Sequence, residues 1–325
     1  MAPGLRWGIL ATGGIARAFT SDLTASGFAV TAAGSRSQGS ADTFTAEFGI
    51  PAAHGSYEAL VSDDTVDAVY VATPHPMHHE CARLAIEAGK HVLVEKSFTV
   101  NAAQARDLAD RAAARGVVVM EAMWTRFLPH MVRIRELIAS GALGDVRTIL
   151  ADHSQSISTD PRHRLQNPEL GGGALLDLGI YPVSLAIDIL GFPESMTVTA
   201  SMTPTGVDRQ IALQLEHEGG RQSVLHSVLD TAGPNRAAIL GTSAWIEIDP
   251  VWYTATSFTL YDSDHTVLER FEHPLTTRGM EFQAWELERR AAGEAPASLP
   301  VEESVAIMGV LDEARVQIGL RYPGE

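Results

Sequence analysis

The sequence predicts an α/β protein: a doubly wound parallel sheet, then a second region built on an antiparallel sheet. Three observations carry this. Up to about residue 120, short apolar runs alternate with longer amphipathic, Ala-rich stretches. A glycine cluster follows the first of those runs. Beyond about residue 125 the alternation gives way to short strands whose turns hold Gly, Asp and Pro. Nearly continuous apolar strands separated by helices mark a parallel sheet covered on both faces, whereas successive short strands joined by tight turns mark an antiparallel one.

Taken in order, strands are expected at 5–10, 28–33, 68–72, 91–94 and 117–120, with helices at 15–26, 77–88 and 101–115. Asn101 is placed to cap the last helix, and Gly89 and Gly116 fall where helices end. A helix follows at 127–140, stopped by Gly141, then a strand at 146–153 and a long helix at 173–190 after a glycine run. Between 196 and 271 come short strands, among them 210–216, 221–228, 244–248 and 257–261. Helices at 280–292 and 301–319 close the chain.

The chain has 325 residues, and 24 Lys+Arg against 40 Asp+Glu give a formal net charge of −16. At about 100–200 residues per domain, this length suits two domains. Nucleic acid and anionic membrane surfaces recruit clustered Lys and Arg, so neither is expected as a partner. An apolar fraction of 45% and a charged fraction of 20% are those of a folded globular chain. Cys81 is the single cysteine, so no intrachain disulfide can form, which fits a reducing compartment. The opening MAPGLRWGIL has no long apolar run after a basic start, and no uncharged apolar run of about 18 residues occurs elsewhere. Neither a signal peptide nor a membrane span is expected, and the location is expected to be cytoplasmic.

Ala11-Thr12-Gly13-Gly14-Ile15-Ala16 follows the first strand and opens the first helix. It matches the G-x-G-x-x-G/A dinucleotide fingerprint, with Ala11 in the first glycine position. Gly13 lets a pyrophosphate approach the backbone, and the helix N-terminus offers free N–H donors and a positive dipole end. Ala16 permits close helix–strand packing. In isolation, a plain strand-to-helix turn is the alternative. The second strand ends at Gly34-Ser35-Arg36-Ser37. An NAD-preferring site places Asp or Glu there for the ribose 2′-hydroxyl. Hydroxyls and a guanidinium suit a 2′-phosphate instead, so NADP(H) is expected, with a solvated surface arginine as the other reading.

Thr73-Pro74-His75-Pro76-Met77-His78 and Glu95-Lys96-Ser97 follow two further strands, at the carboxyl ends where open α/β sheets bind ligands. A lysine there can donate to a reacting oxygen or ease ionisation of a nearby hydroxyl, though taken alone Lys96 reads as a surface residue. His75, His78, His79 and Cys81 lack metal-ligand spacing, so no metal is expected. In the block from Gly171 to Pro182, Asp177 and Tyr181 stand four apart and share a helix face, with Gly179 leaving room for a close ligand. A Tyr and an Asp aimed into a cleft near a lysine suggest acid–base work on a hydroxyl or carbonyl. A half-buried Tyr in an ordinary core helix is the alternative.

Together these motifs resemble the Gfo/Idh/MocA family of nicotinamide-dependent sugar and diol oxidoreductases, over the whole chain. The glycine loop, Glu95-Lys96 and Asp177-x-Gly179-x-Tyr181 fall in the family's order and spacing. His75-Pro76-x-His78, the string from Met120 to Phe127, the block from Gly171 to Tyr181, Gly279-Met280-Glu281-Phe282 and Gly319-Leu320-Arg321-Tyr322-Pro323 are similar to one branch. That branch holds dimeric dihydrodiol dehydrogenases and NADP-dependent D-xylose 1-dehydrogenases. Ala11 departs from the usual glycine, and Ser97 from the usual proline, a change that could alter the local turn.

The resemblance implies a dinucleotide-binding Rossmann domain at 1–122. It implies a substrate-binding and oligomerisation domain at 123–325, with a large, mostly antiparallel open sheet. Helices pack one face of that sheet, and the other makes a homodimer or homotetramer. NADP(H) would be held by Ala11, Thr12, Gly13, Gly14 and Ile15, by Ser35, Arg36 and Ser37, and by Thr73, Pro74, His75, His78, Glu95 and Lys96. Lys96, Asp177 and Tyr181 would be catalytic. Trp124, Arg126, His153, Asp177, Tyr181, Trp252 and Phe282 would bind substrate, although large aromatics equally serve cores.

In that scheme Tyr181 exchanges the proton of the substrate hydroxyl. A free phenol has a pKa of ~10, and the charge of Lys96 brings the phenolate into range. Asp177 binds substrate hydroxyls and orients Lys96. A neutral D-xylose-like aldose or trans-dihydrodiol is the expected substrate, its identity depending on the segment 153–166 and on sheet residues. Cyclitol dehydrogenase, keto-sugar reductase and a non-catalytic NADP-binding regulator are the alternatives.

Overall fold

A computed structural model describes residues 4–323, so the first three residues of the N-terminal stretch lie outside the described residues. The chain forms two compact units, Met1–Trp124 with Thr276–Met308, and Thr125–Leu275 with Gly309–Glu325.

The first unit holds a six-stranded, wholly parallel sheet. Its strands are β1 (Arg6–Leu10), β2 (Ala29–Gly34), β3 (Ala52–His54), β4 (Ala68–Val71), β5 (His91–Glu95) and β6 (Val119–Ala122), in the order β3-β2-β1-β4-β5-β6. Helices α1 (Gly14–Ala25), α2 (Gln38–Phe48), α3 (Tyr57–Val61), α4 (His75–Glu87) and α5 (Ala102–Arg115) connect them. Trp7, Ile9, Leu10, Val69, Tyr70 and Val71 are fully buried, which is why β1 after Arg6 and the whole of β4 read as apolar runs. Each large apolar side chain so withdrawn contributes about 1.5–3 kcal/mol. Asn101 caps α5 as expected, its side-chain oxygen accepting from Gln104 N at 3.0 Å, and Gly116 ends the helix at φ 66°. The strand order reverses between β1 and β4, and the crevice outside their carboxyl ends is the ligand site of such sheets.

The sequence pattern does not predict α2, β3 and α3. α2 carries Gly39 and two threonines, β3 is three residues long and α3 five, so none has a resolvable period.

The expected division at 122/123 also differs from what is observed, because 276–308, including α8 (Glu281–Ala291), joins the first unit. Asp22 on α1 accepts from Arg278 N at 3.1 Å and Met280 N at 3.0 Å. Glu288 on α8 accepts from Leu5 N at 3.0 Å and from Trp7 Nε1 at 3.1 Å. Such pairings span more than 250 residues of sequence and leave no local periodicity. The boundary falls inside α9 (Val301–Ile318).

The second unit is an eight-stranded sheet, ordered β14-β13-β12-β11-β7-β10-β9-β8. Its strands are β7 (Val146–Ser154), β8 (Pro193–Met202), β9 (Asp208–His217), β10 (Arg221–Val228), β11 (Ala237–Gly241), β12 (Ala244–Ile248), β13 (Phe258–Asp262) and β14 (Val267–Phe271). Every neighbouring pair is antiparallel except β7–β10. Helices α6 (Pro129–Ala139) and α7 (Ile180–Leu190) belong to the same unit, and α7 packs on β7 and β10. β9 alternates cleanly, with Ile211, Leu213 and Leu215 inward and Ala212, Gln214 and Glu216 outward. The stretch Pro168–Leu190 is long and apolar enough to cross a membrane by length and composition, but 89% of its most apolar window is buried within the fold, as in a core helix.

Candidate functional site

In the first unit the glycine loop lies beside the end of β2, because Ala11 N donates to Gly34 O at 2.9 Å. Gly13 occupies the N-cap of α1 with no side-chain cap, and a Cβ at Gly13 or Gly14 would meet nothing within 4 Å. The start of α1 is therefore open and uncapped, as a phosphate site at a helix N-terminus requires. Ala16 is fully buried against the sheet, as its small size was expected to allow. Ser37 caps α2 in the same way, again without a side-chain bond. Ser35 is nearly buried, Arg36 is exposed, and the phenol of Tyr57 is raised above its usual value by burial. Open glycines, uncapped amides, hydroxyls and a guanidinium fit a phosphorylated dinucleotide.

Ala11 has φ 79°, the left-handed region that explains the glycine usual in this fingerprint. An L-residue there costs about 1–2 kcal/mol. Glycine loses about 0.4–1 kcal/mol of that gain to its freer unfolded chain. Ala11→Gly is expected to raise unfolding stability by roughly 0.5–1 kcal/mol in a denaturant titration, and a loss of stability would contradict the strain.

The loops after β4 and β5 are tied together. The ring nitrogens of His78 lie 2.8 Å from Thr73 O and 2.8 Å from Ser97 O, and His75 Nε2 lies 3.2 Å from Lys96 O. Burial, then the neighbouring His75 charge, pushes the His78 pKa down to about 3, so the ring is neutral and donates to one carbonyl at a time. This corrects the expectation for His78. Being fully buried, it holds the Thr73-Pro74 and Lys96-Ser97 turns rather than touching a cofactor. Glu95 is also buried and accepts a short hydrogen bond from Tyr70 Oη, so its carboxylate is committed within the sheet layer. The Lys96–Ser97 peptide is cis. His79 pairs with Asp107 at 2.8 Å, and among the described residues no cluster of His, Cys, Asp and Glu could hold a metal. Trp124 ends the main segment of this unit, nearly buried. Phe282 lies on α8, edge-on to Trp285 at 5.2 Å, and so belongs to this unit rather than to the substrate domain expected for it.

In the second unit the expected helix 173–190 begins with a π-helical turn, Leu175–Gly179, and continues as α7. Such turns recur at functional sites. Asp177 sits in the π turn and Tyr181 at the start of α7, both nearly buried. The structure brings His153 to the same place. Its ring centroid is 5.1 Å from Tyr181 and 3.7 Å from Tyr253, with Nδ1 3.2 Å from Leu178 O. Tyr253 stands 5.4 Å from Tyr181. Arg164 places both terminal nitrogens 3.1 Å from Asp177 Oδ1, a charge-assisted contact that fixes the carboxylate.

Three expectations in this unit are corrected. Arg126 is buried, paired with Asp188 at 2.7 Å and bonded to Ser184 Oγ at 2.8 Å, so its charge serves the core rather than a substrate. Trp252 is fully buried, with Nε1 donating to Asp152 O at 2.7 Å, and its neighbour Tyr253 joins the cluster instead. A Cβ on Gly179 would lie 3.2 Å from the Leu175 side chain of the same turn, so that glycine makes room for its own turn, not for a ligand. Arg164 and Tyr253 went unforeseen. The only signals were their positions, Arg164 inside the segment 153–166 and Tyr253 next to Trp252.

Residues 5–123 match the family described as "Oxidoreductase family, NAD-binding Rossmann fold", and residues 131–247 match the GFO/IDH/MocA C-terminal domain. The chain is 36% identical over 334 residues to trans-1,2-dihydrobenzene-1,2-diol dehydrogenase of Xenopus laevis, covering 98% of this chain and 99% of the relative. It is 35% identical over 365 residues to D-xylose 1-dehydrogenase (NADP(+)) of Hypocrea jecorina, covering 98% and 93%. Among solved structures it resembles a 3-ketoreductase from Actinomadura kijaniata in complex with NADP and TDP-benzene. That match has a TM-score of 0.85 and 27% identity, over 97% of this chain and 98% of the other.

Proposed function

The chain belongs to the GFO/IDH/MocA oxidoreductase family, and from that premise we propose that it is an NADP(H)-dependent oxidoreductase of neutral sugars or diols. It would move a hydride between the nicotinamide and the hydroxyl or carbonyl carbon of a D-xylose-like aldose or a trans-dihydrodiol. The observation that carries the reading is the buried pair Asp177 and Tyr181 at one helix start, ringed by His153, Tyr253 and Arg164. The names of the relatives supply the substrate classes. Ser35-Arg36-Ser37, with no carboxylate among them, supports the choice of NADP(H). A net charge of −16 offers little attraction to anionic substrates and favours neutral ones.

NADP+, when bound, supplies the hydride acceptor. In this reading Tyr181 takes the proton from the substrate hydroxyl, and returns it when the enzyme works as a reductase. Lys96 is assigned the positive charge that makes the phenolate accessible near neutral pH. Asp177 receives the substrate hydroxyls, and Arg164 keeps its carboxylate aimed. An absorbance screen of NADP+ and NADPH against aldoses, trans-diols and α-dicarbonyls tests the reading, with turnover of at least one neutral member expected. Enhanced NADPH fluorescence without turnover across the panel would favour a binding regulator. The likeness to a 3-ketoreductase supports a second reading, keto-sugar reduction by the same residues run in reverse.

We further propose a homo-oligomer formed through the outward face of the eight-stranded sheet. Leu150 is 41% and Val224 51% exposed on adjacent strands. Ala238 and Trp245 line the same hollow, with the Arg236–Glu247 pair at its edge. A contiguous apolar patch on a sheet face suits a second copy of itself. Val224→Glu is expected to yield a monomer in analytical ultracentrifugation, and an unchanged oligomer would remove this face from the interface.

A further inference from the structure

The start of the helix that carries Asp177 and Tyr181 is held by groups far away in sequence. Asp208, the first residue of β9, is fully buried, and its Oδ2 accepts from Leu175 N at 2.6 Å. A Cβ at Gly173, where φ is 120°, would collide with Asp208 Oδ1. The Tyr322 hydroxyl donates to Gly172 O at 2.8 Å. A Cβ on Gly172 would lie 2.7 Å from Leu165 O, which itself accepts from Gly173 N at 3.0 Å. The glycine run is therefore required by close backbone packing under a carboxylate. That packing also ties the turn of Arg164, the partner of Asp177, to the same point.

We propose that Asp208 is a positioning residue for the acid–base pair, its buried carboxylate capping the helix start from β9 while the Tyr322 hydroxyl fixes the preceding turn. The proposal rests on the roles given above to Asp177 and Tyr181. A side-chain acceptor at a helix N-terminus satisfies an amide that burial would otherwise leave unpaired. Here it does so two residues before Asp177, so the direction of the helix start follows the carboxylate. Burial pushes the Asp208 carboxyl up to about 7, while the amides of Leu175, Asp208 and Ala174, and then the charge of Arg315, favour its ionised form. Among the described residues Asp208 Oδ1 has no hydrogen-bond partner, so Asp208→Asn breaks no other bond and keeps an oxygen to accept from Leu175 N.

The test uses the full chain labelled with carbon-13 at the tyrosine ring, the Tyr181 resonance being assigned by its loss in Tyr181→Phe. Asp208→Ala is expected to shift or broaden that resonance and to lower kcat by about 10²-fold, the cost of a small misplacement of reacting groups. NADPH affinity should stay unchanged. Asp208→Asn should restore both signals to near wild type. A folded Asp208→Ala protein with an unmoved Tyr181 resonance overturns the proposal, as does an Asp208→Asn variant that rescues neither. If Asp208→Ala does not fold, Tyr322→Phe carries the test. It should shift the same resonance, and an unmoved resonance overturns the proposal. Failure of the acid–base reading itself shows separately, as Tyr181→Phe protein that keeps its turnover.

Discussion

Tyr181→Phe is expected to lower turnover by about 10²–10⁴-fold, the range for a lost general acid or base. NADPH affinity should hardly change, because the glycine loop and Ser35-Arg36-Ser37 belong to the first unit and Tyr181 to the second. The substitution removes one oxygen and keeps the ring, so the aromatic packing against His153 and Tyr253 should survive. Stability should therefore stay close to wild type, which separates a catalytic loss from an unfolding one. Steady-state rates and NADPH fluorescence titration on the same sample make the measurement. Near-normal turnover would remove Tyr181 from the chemistry and leave it a core residue.

Arg36→Asp is expected to weaken NADPH binding by roughly 10²-fold and to leave NADH much less affected. A charge-assisted bond to phosphate contributes about 1.5–3 kcal/mol, and about 1.4 kcal/mol is a factor of ten. The introduced carboxylate would add repulsion toward the 2′-phosphate and offer an acceptor to a ribose 2′-hydroxyl. Fluorescence titration with both nucleotides reads the ratio. Equal losses would show that Arg36 is a solvated surface arginine rather than a cofactor ligand.

The first unit was largely legible in the sequence because its strands are buried on both faces and read as apolar runs. The exceptions, α2, β3 and α3, are too short or too polar to show a period. What local pattern could not reveal was long-range polar pairing. Asp22 and Glu288 draw α8 and Phe282 into the first unit. The site followed the same rule. Asp177, Tyr181 and His153 were legible from spacing and resemblance, and the structure gathers them in one unit. Arg126, Trp252 and His78 were expected from the resemblance, but burial gives each a structural partner in Asp188, Asp152 or Ser97. Arg164 and Tyr253 lie in short turns between the longer elements, where a side chain's direction depends on the finished fold.

Hydride transfer between nicotinamide and a carbinol carbon is the central claim, and isotope transfer tests it most directly. The protein is incubated with NADPH deuterated at nicotinamide C4 and with the carbonyl forms of the aldose and diol panel, and the products are weighed by mass spectrometry. The account predicts deuterium on the newly formed carbinol carbon of a neutral product, and at least about 10²-fold less of it when Tyr181→Phe replaces the wild type over the same time. NADPH bound by the wild type, with no deuterium passed to any member of the panel, would contradict it.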